Sequence, residues 1–395
     1  MIQTDSKTMN LSTIGDMGLY VHIPFCKQKC IYCDFPAYQN LQDYYETYIY
    51  ALVQEIDLWA NEHPESKLRS IDTIYFGGGT PTELSIDQLK IILDKIRHTF
   101  TITDSCHMTI ESNPGEVDLT YLIKLVSLGF NRISFGIQTF DDKALLRLHR
   151  SHTAKKAIQA VQDAKTAGFE DINIDLIYGL PNQTVADIQR NLELVRDLPI
   201  NHISTYGLQV EAGTYLYHLV KKKLISLPDE SIDESMYDTM MTGLCELGFE
   251  RYEISNFAKG GSYSRHNLKY WHYIDYLGFG AGAHSFYDGV RRSNNRNVMP
   301  YIQSVDRYEM PTVETENISI ERAQEDFCFL ALRTKWGLDE KLFKDRFGIS
   351  VRNLFGPSID ELVAKGLMNF HHGAYHVTPE GAKHGNYVFG QFIRE

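Results

Sequence analysis

The chain has 395 residues, 43% of them hydrophobic and 23% charged, enough for one large α/β domain and a smaller companion. A formal charge of −12, with no basic tract denser than Lys221, Lys222 and Lys223, argues against a nucleic-acid footprint. No apolar run approaches the ~20 residues that span a bilayer. Residues 1–17 are polar and lack the apolar centre of an export signal, so a mobile leader on a cytoplasmic protein is expected.

Residues 19–23, LYVHI, read as a strand, and the chain then enters HIPFCKQKCIYCDF, where Cys26, Cys30 and Cys33 are spaced C-x3-C-x2-C. The other cysteines, Cys106, Cys245 and Cys328, are isolated, in the manner of buried small hydrophobes, and a secreted disulfide framework fits poorly. Three clustered thiols point instead to a metal or redox site. A structural zinc ion wants four protein ligands, and His22 stands on the strand before Cys26, a poor position from which to close such a site. A 4Fe–4S cube is normally held by four cysteines; held by three, it keeps one iron open to a small molecule.

Downstream, residues 41–61 carry apolar residues at helical spacing. IDTIYFGGGTPT (71–82) is a strand running into glycines, and SIDQLKIILDKIRHTF (85–100) starts on a Ser cap. CHMTIESNP (106–114) is a third strand, TYLIKLVSLG (120–129) a helix closed by Gly129, and NRISFGIQ (131–138) a fourth strand. Residues 154–167 are helical up to Gly168, DINIDLIYGLP (171–181) is a fifth strand, TVADIQRNLELVRDL (184–198) a helix and HISTYGL (202–208) a sixth strand. Six β/α units with short, mostly apolar strands imply parallel pairing with right-handed crossovers.

Periodicity does not separate an open sheet from a barrel, but the placement of polar residues does. Gly78, Gly79 and Thr80 follow the second strand, where missing side chains allow a ligand close to the backbone. Glu111 ends the third strand, Gln138 follows the fourth, and Asp175 lies within the fifth, where an acid needs a partner or a ligand. Arg150 is a candidate for that partner or for a ligand carboxylate. Polar groups gathered at the carboxyl ends of successive strands are barrel logic.

The pattern changes after about residue 215. Residues 216–310 are expected to cover the barrel, and include HNLKYW, with His266, Asn267, Tyr270 and Trp271. An imidazole is a good metal ligand, and the two aromatic rings offer flat apolar surface; the same residues also suit simple packing of the barrel's open side. His284 is a second candidate ligand. Residues 311–395 read as three helices (319–333, 339–346, 351–364) and a hairpin turning at His372 and Gly373, a winged-helix-like α+β module suited to packing or partner docking rather than DNA.

The cysteine spacing, with Tyr32 immediately before the last cysteine, resembles the signature of the radical S-adenosylmethionine (SAM) family. YVHIPFC, GGGTPT, ESNP, RISFGIQTF, DLIYGLPNQT and YEISNFA extend the likeness to the group that contains anaerobic coproporphyrinogen III oxidase and a haem chaperone. The resemblance implies a partial (β/α)6 TIM-type barrel over 18–215 and a 4Fe–4S cluster on Cys26, Cys30 and Cys33. It implies SAM contacts from Tyr20, Tyr32, Gly78, Gly79, Thr80, Glu111, Gln138, Arg150 and Asp175. In that family the open iron chelates SAM, and one electron cleaves the sulfonium to a 5′-deoxyadenosyl radical. The oxidase continues its motif as Cys-Gly-Cys, whereas Asp34 and Phe35 follow Cys33 here, and HNLKYW matches a pattern of the chaperones associated with haem. The resemblance therefore implies haem as cargo, haem-acceptor proteins such as respiratory enzymes as partners, membrane contact only through such a partner, and a homodimer. Porphyrinogen decarboxylation is the alternative, and whether SAM is cleaved stays open.

Overall fold

The computed structural model describes residues 16–394. The expected leader therefore lies, up to residue 15, outside the described residues; Met17 is already buried in the first strand.

Strand β1 (Met17–Ile23) is followed by helix α1 (Tyr45–Glu62), β2 (Ser70–Gly78), α2 (Ile86–Thr99), β3 (Thr101–Ser112), α3 (Leu119–Ser127) and β4 (Arg132–Gln138). Then come α4 (Asp142–Arg147), α5 (Ala154–Ala167), β5 (Asp171–Tyr178), α6 (Val185–Arg196) and β6 (His202–Gly207). The six strands lie side by side in chain order, and every neighbouring pair is parallel. Among the described residues β6 does not pair with β1, so the barrel is partial. Local signals agree with this topology. Ser85 and Gln88 close a reciprocal capping box on α2, and α5 runs from a Thr153 cap to Gly168, whose φ of +104° ends it.

The strands are not apolar on both faces, as their composition suggests. Ile133, Phe135 and Ile137 of β4 alternate with Arg132, Ser134 and Gly136, and Ile172, Ile174 and Leu176 of β5 with Asn173 and Asp175. The apolar set joins Leu89, Ile92, Leu93 and Ile96 of α2 in one core, each such side chain contributing roughly 1.5–3 kcal/mol. The polar set lines the lumen and is cross-linked strand to strand: Asn173 Nδ2 donates to Ser134 Oγ at 2.7 Å and the Tyr75 hydroxyl to Glu111 at 2.7 Å.

The section after β6 extends both edges of the sheet. Following α7 (Tyr215–Lys221) and α8 (Glu230–Glu246), β7 (Glu250–Arg251) and β8 (Asn256–Ala258) add antiparallel strands beside β6. Helix α9 (Arg265–Trp271) carries HNLKYW and packs on β1 and β2. Strand β9 (Tyr276–Phe279) then pairs parallel with β1, and β10 (His284–Tyr287), β11 (Val290–Asn294) and β12 (Thr312–Asn317) follow antiparallel, β12 after helix α10 (Val298–Asp306). The large sheet thus runs past residue 311, and the C-terminal module packs from about residue 320. There α11 (Ile320–Leu332), α12 (Glu340–Phe347) and α13 (Val351–Ala364) enclose a core with Phe327, Phe343 and Phe355. Strand β13 (Leu338–Asp339) and the hairpin β14 (Met368–His371) and β15 (Ala374–Val377) complete it; the hairpin turns at His372 and Gly373, both with positive φ. Cys106 and Cys328 are buried as expected, but Cys245 is exposed on α8.

Candidate cluster and nucleotide site

The cysteine loop leaves the carboxyl end of β1 and is held by main-chain bonds to its surroundings. Gly79 N–H donates to Ile23 O at 2.8 Å and Thr80 N–H to Phe25 O at 2.7 Å, while Cys26 N–H reaches Tyr38 O at 2.9 Å. A Cβ on Gly79 would lie 2.5 Å from Phe25 O, and one on Gly78 the same distance from the His22 ring. The glycines therefore seat the loop on β2, and their amides are already committed: Gly78 N–H donates to Glu111 Oε2 at 3.1 Å. The sequence suggested that these backbone groups face a ligand; their N–H groups serve the protein's own chain.

Cys26 is buried, Cys30 and Cys33 are half-buried, and all three are free thiols. Burial pushes Cys26 up to about 12, and burial together with the neighbouring Cys30 raises Cys33. Thiols that resist ionisation on their own become thiolates when a metal centre compensates the charge. Among the described residues no three His, Cys, Asp or Glu side chains gather as they would around a single ion. Three thiols in one loop suit an iron–sulfur centre with one open iron better than a zinc site, which wants four protein ligands. His22 is no fourth ligand: its Nδ1 accepts from the Tyr20 hydroxyl and its Nε2 donates to Pro36 O, both at 2.9 Å.

Arg150 lies beside the loop, donating from Nη1 to Cys30 Sγ at 3.2 Å and from Nη2 to Asn113 Oδ1 at 2.6 Å and to Gly136 O. Thr80 Oγ1 contacts Cys26 Sγ at 3.4 Å and accepts from Asn113 Nδ2 at 2.9 Å. Asn113, which in sequence only ends a strand, is thus the link between two candidate residues. Tyr32 is half-buried next to Cys30. Gln138 sits at a β4 irregularity with φ of +69°, a conformation non-glycine residues seldom adopt and which turns its amide toward the Arg150 side.

Deeper in the lumen, Glu111 accepts from Tyr75 and Gly78, and burial raises its carboxyl to about 7. Burial also raises Asp175, which accepts from Asn173 Nδ2 at 2.8 Å. Tyr20 stacks on Tyr75, with ring centroids 6.1 Å apart. Arg132 is fully buried at the start of β4, and its Nε has no hydrogen-bond partner among the described residues. Asn173, Tyr75 and Arg132 are lumen residues that sequence reasoning missed; the N-I-D alternation of β5 held the available signal.

HNLKYW does not form an exposed platform. His266 is 1% exposed, with Nδ1 3.0 Å from Thr73 Oγ1 and Nε2 2.8 Å from the Tyr270 hydroxyl, and burial lowers its pKa to about 3. Tyr270 faces a cavity of about 610 Å³ that also meets Tyr20, Phe35, Pro36 and His284. Trp271 points away, stacking under the Arg333 guanidinium at 4.6 Å, and Asn267 lies on the same short helix.

Residues 20–195 match the radical SAM superfamily and residues 319–382 the HemN C-terminal domain. The haem chaperone HemW of Bacillus subtilis is 37% identical over 95% of this chain and 99% of its own length. The chain belongs to the HemW family. HemW of Haemophilus influenzae is 33% identical over 96% of this chain and 98% of its own, and HemW of Escherichia coli K12 31% over the same shares. Among solved structures, the radical SAM enzyme coproporphyrinogen III oxidase (HemN) of Escherichia coli superposes with a TM-score of 0.84 at 23% identity, covering 96% of this chain and 90% of that one. That likeness establishes a HemN-type radical SAM fold, and the radical SAM domain implies a 4Fe–4S cluster and SAM.

Proposed function

We propose that this HemW-family protein is a haem chaperone that holds a 4Fe–4S cluster and SAM and delivers haem to acceptor haemoproteins. The observation that carries the reading is full-length likeness to HemW proteins combined with a three-thiol loop in which Asp34 and Phe35 replace the oxidase-type cysteine extension. Cys26, Cys30 and Cys33 would hold the cluster, which when bound supplies an open iron for the nucleotide and a single electron. Arg150 offsets the charge of the Cys30 thiolate and keeps its guanidinium in the lumen for a carboxylate. Glu111 offers an acceptor for an ammonium group, whose approach draws the carboxyl into its charged form. Asp175 and Gln138 supply further acceptors and donors on the neighbouring strands, while Tyr20 and Tyr32 wall the site against water.

No helix among the described residues is long and apolar enough to cross a membrane. A cytoplasmic location, acceptors among respiratory enzymes reached through protein contact, and a homodimer complete the proposal. The test is anaerobic purification and cluster reconstitution, then haem titration and transfer to an apo-haemoprotein. Haem binding with transfer, and no conversion of coproporphyrinogen III in the presence of dithionite and SAM, is the expected result. Porphyrinogen turnover would overturn the reading in favour of an oxidase.

A further inference from the structure

We propose that the haem iron is bound by His284, in the open cavity between the cysteine loop and strands β10–β12, and not by His266 of HNLKYW. The inference deepens the chaperone reading and rests on it.

Three histidines stand in or beside this region, and their hydrogen bonds separate them. His22 and His266 are 3% and 1% exposed, and both nitrogens of each ring are engaged within the protein. A ring nitrogen must have a free lone pair and a path for the porphyrin to reach it. For His266 both conditions require breaking the bonds to Thr73 and Tyr270 and opening the lumen. His284 meets them as it stands: it is exposed on the cavity wall, and among the described residues burial, Glu314 and Arg296 act on its ring, with His22 close enough to interact electrostatically. The net effect lowers its pKa, so the imidazole is neutral and able to ligate at neutral pH.

The position of His284 is set by backbone. It opens β10, opposite Ser293 of β11, and a Cβ on Gly278 would lie 2.0 Å from His284 O, so only glycine lets β9 pack this closely behind it. The Gly278 N–H to Ser285 Oγ bond, 2.9 Å, pins the next residue.

The cavity suits a flat, amphipathic, doubly anionic ligand. About 610 Å³ falls within the roughly 300–1,000 Å³ of small-molecule sites. Tyr270, Tyr276 and Phe35 give it aromatic walls, and Phe35 is 67% exposed with nothing packed over it. Arg296 lies at the rim; one Nη2 bond, 3.1 Å to Asp34 O, fixes the guanidinium and leaves donors for a propionate. Glu314 opposes an anion there, but its carboxylate already accepts from Ser293 Oγ at 3.2 Å. The wall formed by Phe35 and Pro36 belongs to the segment that follows Cys33, so the cargo cavity borders the cluster loop.

The test titrates the full-length protein with ferric haem and, in parallel, with iron-free protoporphyrin IX, reading the Soret band and tyrosine fluorescence. His284→Ala should weaken haem binding at least about tenfold and change iron-free porphyrin binding by less than about twofold. His284→Met should restore haem binding with a displaced Soret band, because the axial ligand sets the spectrum. Arg296→Gln should weaken both porphyrins alike. Unchanged haem affinity in His284→Ala, equal loss of both porphyrins, or iron-dependent loss in His266→Ala alone overturns the assignment while leaving the chaperone reading in place. Wild-type protein that binds no haem overturns both.

Discussion

Glu111→Gln should make the cofactor-free protein more stable and less functional, with a pH signature that identifies the cause. In the folded chain burial holds the Glu111 carboxyl near 7, against 4.5 for an ordinary glutamate. Between those values the folded state keeps a proton that the unfolded chain has lost, so unfolding releases one and stability falls as pH rises. Below 4.5 both states are protonated and there is no penalty; above 7 the penalty is complete. At about 1.4 kcal/mol per pH unit the ceiling is about 3–4 kcal/mol, and a water-reachable edge of this half-buried side chain trims it to about 1–3 kcal/mol. Glutamine keeps the shape, and its oxygen accepts from either Tyr75 or Gly78. Chemical denaturation of wild type and variant from pH 4.5 to 8.5 should show curves that converge at the acid end and separate through neutrality. Glu55 titrates near 7 as well but is present in both proteins, so the difference isolates Glu111. The same variant should lose SAM affinity by isothermal titration. A pH-independent difference, or a variant less stable at pH 8 than wild type, would refute the reasoning.

Cys30→Ala should abolish cluster assembly in anaerobically reconstituted protein, whereas Cys106→Ala, buried beside Asp72 and away from the loop, should keep its iron; iron and sulfide analysis decides both. Gly79→Ala should cost about 2–3 kcal/mol and cluster content with it, because the new methyl meets backbone rather than a flexible side chain; denaturant midpoints and iron content check it. Lys269→Met should destabilise by about 3–5 kcal/mol in thermal or urea unfolding, since Lys269 is 1% exposed and pairs with buried Asp72 at 2.6 Å, leaving that acid only the more distant Arg265.

The six-unit barrel was readable because its punctuation is local. Ser85, Thr153, Gly129 and Gly168 cap helices through their own backbone chemistry, and the glycines of GGGTPT follow a strand in sequence as they do in space. The polar lumen was harder. Asp175 stands out in an apolar run, but Asn113 and Asn173 act through partners distant in sequence, Arg150 and Ser134, and no spacing rule names those partners. Strand β12 escaped notice because TVETEN is mostly exposed and reads as a polar loop, and β9 and β10 are four residues each, too short for a period. HNLKYW was visible as a motif, yet only the helix register shows His266 turned to the lumen and Trp271 packed toward Arg333.

The parallel pairing of β1 with β9 joins residues 17–23 to residues 276–279, and Arg296 ties down Asp34 from still farther along the chain. The thiols are thus synthesised well before the residues that finish their surroundings. A completed pocket around the thiols consequently requires the chain as far as residue 296, and a chain that stops short of it leaves the thiol loop without its outer wall.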